Sequence, residues 1–233
     1  MSQYTIEVCK QENIEFPDAL LHMKKCPSLL YYMGDISILK QQKSIAVVGS
    51  RNASLKGLDL SYQTGKAVCE AGFNLVNGLA IGCDTEALKG ALSIGGKCIA
   101  VMPCGLDQIV PKENKWLVQE ILKNKGCLIS EYAISVPPRR YQYVERDKIQ
   151  SGISSGVVII EAEEQSGTMH TADFALKQYK RLACYSEKLL EKASGNRALA
   201  CKNEVKILHE KDDLNLFFKE VREDKLYEQM SLF

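Results

Sequence analysis

The sequence is short of several features, and each shortage removes a class of protein. No uninterrupted apolar run reaches the roughly 20 residues that a membrane-spanning helix needs. The opening MSQYTIEVCKQENIE lacks the basic-then-apolar order of a secretion signal, so a cytoplasmic protein without a membrane partner is expected. Positive charge is not in excess: Lys plus Arg number 30 against 29 for Asp plus Glu, a formal net charge of +1. That balance excludes a globally basic binder of the histone or ribosomal kind, so any nucleic-acid contact has to be local. No GxGxxG opens a helix and no GxxxxGK precedes Ser or Thr, which removes the dinucleotide fingerprint and the P-loop. Nine cysteines are scattered without a CxxC pair, and none has a neighbouring His to complete a zinc site. His22, His170 and His209 are far apart, with no acid or nucleophile partner in sight; only His170, two residues past an SGT turn, is placed to touch a ligand. Neither metal nor cofactor is expected.

What is present is one α/β pattern. With 233 residues, 45% hydrophobic and 25% charged, the chain suits a single core with a small appendage. From residue 44 onward, short β-branched runs alternate with longer segments of helical period, the mark of βαβ units. Strands are expected at Ser44–Val48, Phe73–Asn77, Lys97–Met102, Cys127–Ser130, Gly156–Glu161, Leu182–Tyr185 and, more weakly, Val205–Leu208. Helices are expected near Leu55–Ala71, Thr85–Ile94, Lys115–Asn124, Lys148–Ser154, Thr168–Tyr179 and Asp213–Val221. SIAVVG and GVVIIEA are apolar at nearly every position, so both sheet faces are buried. The expected architecture is an extended Rossmann-like fold, a doubly wound and mostly parallel sheet with helices on both faces. Residues 1–43 read as an N-terminal extension packed on the core, with a helix at Asp18–Lys25 and an extended piece at Leu29–Asp35. Residues 44–219 read as the core and 220–233 as a mobile tail.

In such a sheet, ligands bind beyond the carboxyl ends of the strands, where helix N-termini offer free N–H groups to anions. Three strand-to-helix turns carry suitable residues. The first has Gly49, Ser50, Arg51 and Asn52, where Arg51 can fork onto a phosphate. The second, NGLAIGCDT, carries Gly82 and puts Asp84 where it can cap the next helix. The third carries Ser166, Gly167 and Thr168 at the start of a helix. Turn chemistry and capping explain any one of them equally well; three on one sheet edge point to phosphate. Local basic excess lies in Arg139, Arg140, Arg146 and Lys148, diluted by Glu145 and Asp147. Tyr141 and Tyr143 beside that run offer stacking faces for unpaired bases or, equally, packing against the sheet edge.

Taken in order, these motifs resemble the DprA/Smf family (DNA processing protein A). The stretch with YMGD and VGSR is similar to that family's entry into its core. It is followed by a block with GCD, GG and GLD, by Pro111-x-x-Asn114, and by LISEY. YVERDKIQSGISSGVVIIEAEEQSGTMHTA then resembles the family's FPxRNRIISGLS and VVxVEAxxxSGSLxTA. The match runs over about residues 16 to 210. It implies a homodimeric, non-enzymatic, cytoplasmic protein that protects single-stranded DNA in a basic groove and assists loading of the RecA recombinase in recombination or transformation. It carries DNA contacts onto Arg51, Arg146 and Lys148. Gly49, Ser50, Asn52, Gly82, Ser166, Gly167 and Thr168 are expected to complete the phosphate site, with further contacts from Arg139, Arg140, Tyr143 and Lys180.

The departures are local. Asp147 stands for the family's Asn, which puts an acid in the proposed groove, and Tyr143-Val144 replaces Phe-Pro. The helical domain that often precedes this core and the winged helix that follows it have no counterpart in the 233 residues, so a minimal member is expected. The final QMSLF resembles the pentapeptide that docks on the bacterial sliding clamp, with Gln229 at the rim and Leu232 and Phe233 in an apolar pocket. The alternative function is a nucleotide-binding sensor or a phosphoribohydrolase-like enzyme of the same Rossmann-like superfamily, with Glu161, Glu163 or Glu164 as its carboxylate. Against it, QSGTMHTA lacks the paired glycines of such enzymes.

Overall fold

The computed structural model describes residues 4–224. Seven strands run parallel: β3 (Ser44–Val48), β4 (Asn74–Asn77), β5 (Cys98–Val101), β6 (Cys127–Ser130), β7 (Gly156–Ile159), β8 (Arg181–Tyr185) and β9 (Val205–Leu208). The N-terminal residues join this sheet as strands instead of only packing on its edge. β1 (Glu7–Lys10) pairs antiparallel with β2 (Leu29–Gly34), and β2 pairs antiparallel with β6. β1 was not foreseen, because its burial alternates over only four residues and Cys9 alone points inward. The full order is β1-β2-β6-β5-β4-β3-β7-β8-β9.

The helices are α1 (Asp18–Leu21), α2 (Ile38–Gln41), α3 (Leu55–Glu70), α4 (Cys83–Leu92), α5 (Lys115–Lys123), α6 (Arg140–Gly152), α7 (Thr168–Lys177), α8 (Ser194–Ala200) and α9 (Lys211–Glu223). Strand residues alternate between two cores, as the two-residue pleat requires. Ile45 and Val47 meet Val68 of α3, Leu88 of α4, Ile121 of α5 and Phe217 of α9. Ala46 and Val48 face the opposite core with Leu20 of α1, Ile149 of α6, Ala172 of α7 and Leu199 of α8. Each fully buried Ile or Val contributes roughly 1.5–3 kcal/mol, so the central strands hold both layers.

Two expected boundaries are wrong for identifiable reasons. α6 begins at Arg140, eight residues before the expected Lys148, because its buried side is polar and carries no apolar period. It starts just past Pro137-Pro138, where the Gln142 side chain accepts the Arg139 N–H. Val144 keeps a backbone donor inside α6 that a proline would remove. At the other end, residues 220–223, read as tail, close α9. Val221 is buried, and Lys43 Nζ donates to the carbonyls of Val221, Arg222 and Asp224 at 3.2, 3.1 and 3.0 Å. A cation on the last carbonyls of a helix satisfies groups the helix cannot. Gln229, Leu232 and Phe233 lie outside the described residues. Among the described residues no helix is long and apolar enough to cross a membrane.

Candidate nucleic-acid interface

The strand order reverses at β3. From there the chain steps outward through β4, β5 and β6, then returns to lay β7 on the other side of β3. The turns after β3 and β7 therefore face each other across a crevice, the place where open α/β sheets bind ligands. The Ser50 N–H donates to the Glu161 carbonyl at 2.7 Å and locks the two turns together. The crevice measures about 750 Å³. Four segments line it: Val48 to Asn52, Ala80 with Asp84 from the β4–α4 turn, one face of α6 with the residues before it, and Gln165 to Thr171 at the start of α7.

On α6, besides Arg140 and Val144, the lining residues Tyr143, Arg146, Asp147 and Gln150 are spaced i, i+3, i+4 and i+7 along one helical stripe. The stripe descends from a half-buried ring to an amide that is 1% exposed. Arg51, Arg139 and Arg140 are exposed around the mouth. The Arg51 guanidinium carbon lies 5.4 Å from the Tyr143 ring centroid, and that of Arg146 lies 5.9 Å away.

Arg146 is 5% exposed and is held below the mouth through Nε and Nη1. Its Nη1 donates to the carbonyls of Gly78 at 2.7 Å and Val101 at 2.9 Å, and its Nε pairs with Asp147 at 2.9 Å. A Cβ at Gly78 would strike this guanidinium, so glycine there leaves Arg146 its place. Burial raises the Asp147 carboxyl above its ordinary value, opposed by Arg146, His170 and Arg51. Burial pushes Asp84 up to about 6, again opposed chiefly by Arg146.

Asp84 does not cap α4 in the simple sense. Its carboxylate reaches back to the N–H groups of Gly78 at 2.9 Å and Ala80 at 3.2 Å. Asn114 clamps the same turn from outside, its amide donating to the carbonyls of Leu79 and Ala80 and to the Thr85 hydroxyl. That clamp is the structural content of the Pro-x-x-Asn motif. Gly82, at φ +79°, stands behind the Ser50–Arg51 backbone, where a Cβ would come within 2.5 Å of the Ser50 carbonyl. It shapes the Arg51 turn and does not line the crevice.

Of the residues singled out in the sequence, Gly49, Ser50, Arg51, Asn52, Arg139, Arg140, Tyr143, Arg146, Ser166, Gly167 and Thr168 all line this one space, with His170. Lys148 does not: it is two residues beyond Arg146, so the helix turns it away, and its Nζ donates to the Lys25 carbonyl at 3.0 Å. Lys180 is also elsewhere. It precedes β8 at the amino end of the parallel strands, 6% exposed, with Nζ on the Gly152 carbonyl at 2.7 Å. Tyr141 is exposed and does not line the crevice.

The carboxylates weighed for base-release chemistry are placed for other work. Glu161 is fully buried and accepts the N–H groups of Ser54 at 2.6 Å, Glu191 at 3.1 Å and Lys192 at 2.8 Å, tying three loops together. Glu163 and Glu164 are exposed and outside the crevice. Sequence reasoning missed Gln150, Gln165 and Thr171. The period of 143, 146, 147 and 150 would have found Gln150, had the helix been started at Arg140.

The family model for DNA recombination-mediator protein A matches residues 7–219. The chain belongs to that family. Protein Smf of Escherichia coli is 37% identical to it over 167 residues, which are 70% of this chain and 43% of the relative. DNA processing protein DprA of Streptococcus pneumoniae is 37% identical over 163 residues, 70% of this chain and 57% of the relative. The chain thus spans about half the length of these two relatives. The crystal structure of the pneumococcal protein superposes with a TM-score of 0.83 at 30% identity, covering 91% of this chain and 74% of that one. The Helicobacter pylori DNA processing protein A, which binds single-stranded DNA, superposes at 0.82 with 28% identity, covering 94% and 97%. The family's fold is therefore the one described above, and of the ordered motifs the segments with Gly49-Ser50-Arg51, Arg146-Asp147 and Ser166-Gly167-Thr168 line the β3/β7 crevice.

Proposed function

We propose that this chain binds single-stranded DNA at the β3/β7 crevice, as a non-enzymatic DNA-processing protein of recombination or transformation acting in the cytoplasm. The observation that carries the reading is the gradient of charge into the crevice. Exposed Arg51, Arg139 and Arg140 ring the mouth, and the N-terminus of α7 with its Ser166-Gly167-Thr168 turn faces them. Such a rim takes phosphates, whereas the buried acids Asp84 and Asp147 below repel them. The family and the DNA-binding relative from Helicobacter pylori support the same ligand. Self-association as a homodimer, hand-over of the strand to RecA, and docking of Gln229, Leu232 and Phe233 on the sliding clamp extend this reading on the strength of the resemblance.

Fluorescence anisotropy with labelled oligo-dT over a salt series tests the central claim. Binding is expected to weaken steeply with salt. Arg51→Ala is expected to lose about tenfold in affinity and to flatten the salt slope by about one counter-ion, equally across sequences. An unchanged affinity in that variant would remove Arg51 from the interface.

A further inference from the structure

Trp116 is the only tryptophan of the chain, and it is 47% exposed. A tryptophan is ordinarily well covered, because its ring carries so much apolar surface. Here the buried side of α5 is made by Leu117, Val118, Ile121 and Leu122, which leaves Trp116 outside it. The fold itself thus keeps about half of the residue uncovered.

Position limits what can cover it. α5 starts at the carboxyl end of the parallel strands, the end on which the crevice opens. β3, β4 and β5 are consecutive in the sheet, and neighbouring strands lie about 4.8 Å apart, so the turn after β5 is roughly 10 Å along the edge from the Arg51 turn. Between them lies the β4–α4 turn, where Ala80 lines the crevice and the next residue, Ile81, is exposed. Asn114, two residues before Trp116, donates to the carbonyls of Leu79 at 2.8 Å and Ala80 at 3.1 Å. The start of α5 is therefore fastened to the wall of the crevice.

The charge beside the ring selects the partner. Lys112 and Lys115 are exposed on either side of Asn114, and among the described residues neither is in an ion pair; Glu113 is the one acid from residue 111 to 119. Other lysines on this side of the sheet are already held, Lys56 by Asp59 at 3.3 Å and Lys89 by Glu86 at 2.7 Å. Free cations next to an uncovered aromatic face are what an unpaired strand uses, phosphates on the cations and a base on the ring.

We propose that a strand held at Arg51 continues over the β4–α4 turn to Trp116, whose ring stacks one base while Lys112 and Lys115 neutralise the phosphates beside it. This rests on the single-stranded DNA reading above and lengthens the bound path along the carboxyl edge, outside the crevice.

With one tryptophan in the chain, its emission reports on this position alone. The full chain is titrated with oligo-dT of about 16 nucleotides and with an abasic strand of equal length, reading anisotropy on labelled strands and tryptophan emission on unlabelled ones. Emission is expected to be quenched as oligo-dT saturates and to stay near its free value on the abasic strand. Trp116→Ala is expected to lose about tenfold in affinity for oligo-dT, the worth of one stacked base, and Trp116→Phe to recover most of it. The salt slope should be the same in Trp116→Ala as in wild type, because no phosphate contact is removed, which separates stacking from the effect of Arg51→Ala. Wild-type emission needs no variant, so the test stands even if Trp116→Ala fails to fold. Unquenched emission at saturation, or equal quenching by the abasic strand, would overturn the stacking role and leave strand binding at the crevice intact. No anisotropy change with any strand would overturn both.

Discussion

The mouth and the floor of the crevice each carry arginine, and the two sets sit at opposite extremes of exposure. Arg51 and Arg146 both lie within 6 Å of the centroid of the Tyr143 ring. Arg51 is exposed, while Arg146 is sunk among carbonyls and a carboxylate with 5% of its surface accessible. A guanidinium in water keeps its donors for a partner that arrives later. One taken out of water has to satisfy its donors within the fold, because an unpaired buried charge costs far more than an exposed one gains. Positive residues in a motif are thus not interchangeable as phosphate ligands: depth decides whether they bind or build.

The sharpest way to break this contrast is Arg146→Met. It would leave Asp147 and Asp84 buried without their cation and two carbonyls without their donor, and a loss of about 3–5 kcal/mol in urea unfolding is expected. Arg51→Ala should change the same measurement by less than about 0.5 kcal/mol. Equal stabilities for the two variants would refute the division of labour.

Lys180 extends the contrast to the opposite end of the sheet. Burial lowers it from the ordinary lysine value of 10.5 to about 7. Between those values the unfolded chain holds more protons than the folded one, so this residue makes stability rise as pH climbs from about 7 toward 10.5. Below 7 the fold carries a buried ammonium. Lys180→Met is therefore expected to raise stability by about 1–3 kcal/mol near pH 6, after losing the hydrogen bond to the Gly152 carbonyl. The advantage should fade toward pH 10. Thermal melts over that range check the sign; a gain independent of pH would mean the side chain matters through packing alone.

The smallest effect is expected for Lys148→Ala. With its Nζ on the Lys25 carbonyl and its side chain off the crevice, DNA affinity should change by less than about twofold. A tenfold loss in anisotropy would extend the interface beyond the crevice, onto the outer face of α6.

Much of this molecule could be read in advance because its signals are local and repeated. SIAVV and GVVI are apolar at nearly every position and buried at every one, and only a strand buried on both faces uses such a run. Ser54 announces α3 by accepting the Gly57 N–H. The three turns with Ser50, Gly82 and Ser166 were visible as βα turns for the same reason. The polar helix α6 was not. Its inward stripe is Gln142, Arg146, Asp147, Ile149 and Gln150, and a rule that looks for apolar period reads such a stretch as loop. The misplaced start hid Gln150 and made Lys148 look like a neighbour of Arg146 in space as well as in sequence.

By itself, the sequence determined the alternation of strands and helices, the double burial of the central sheet, the set of small-residue turns at its carboxyl edge, and the family. These follow from composition within a window of a dozen residues and from motifs in a fixed order. Tertiary structure alone decided which turns meet, because the reversal of strand order at β3 is a long-range event that sets Arg51 against Ser166. It also decided the depth of each charge. Arg146, Lys148 and Lys180 are all plain cations on paper. Only the packing around them makes one a buttress, turns one away from the crevice and buries one at the far end of the sheet.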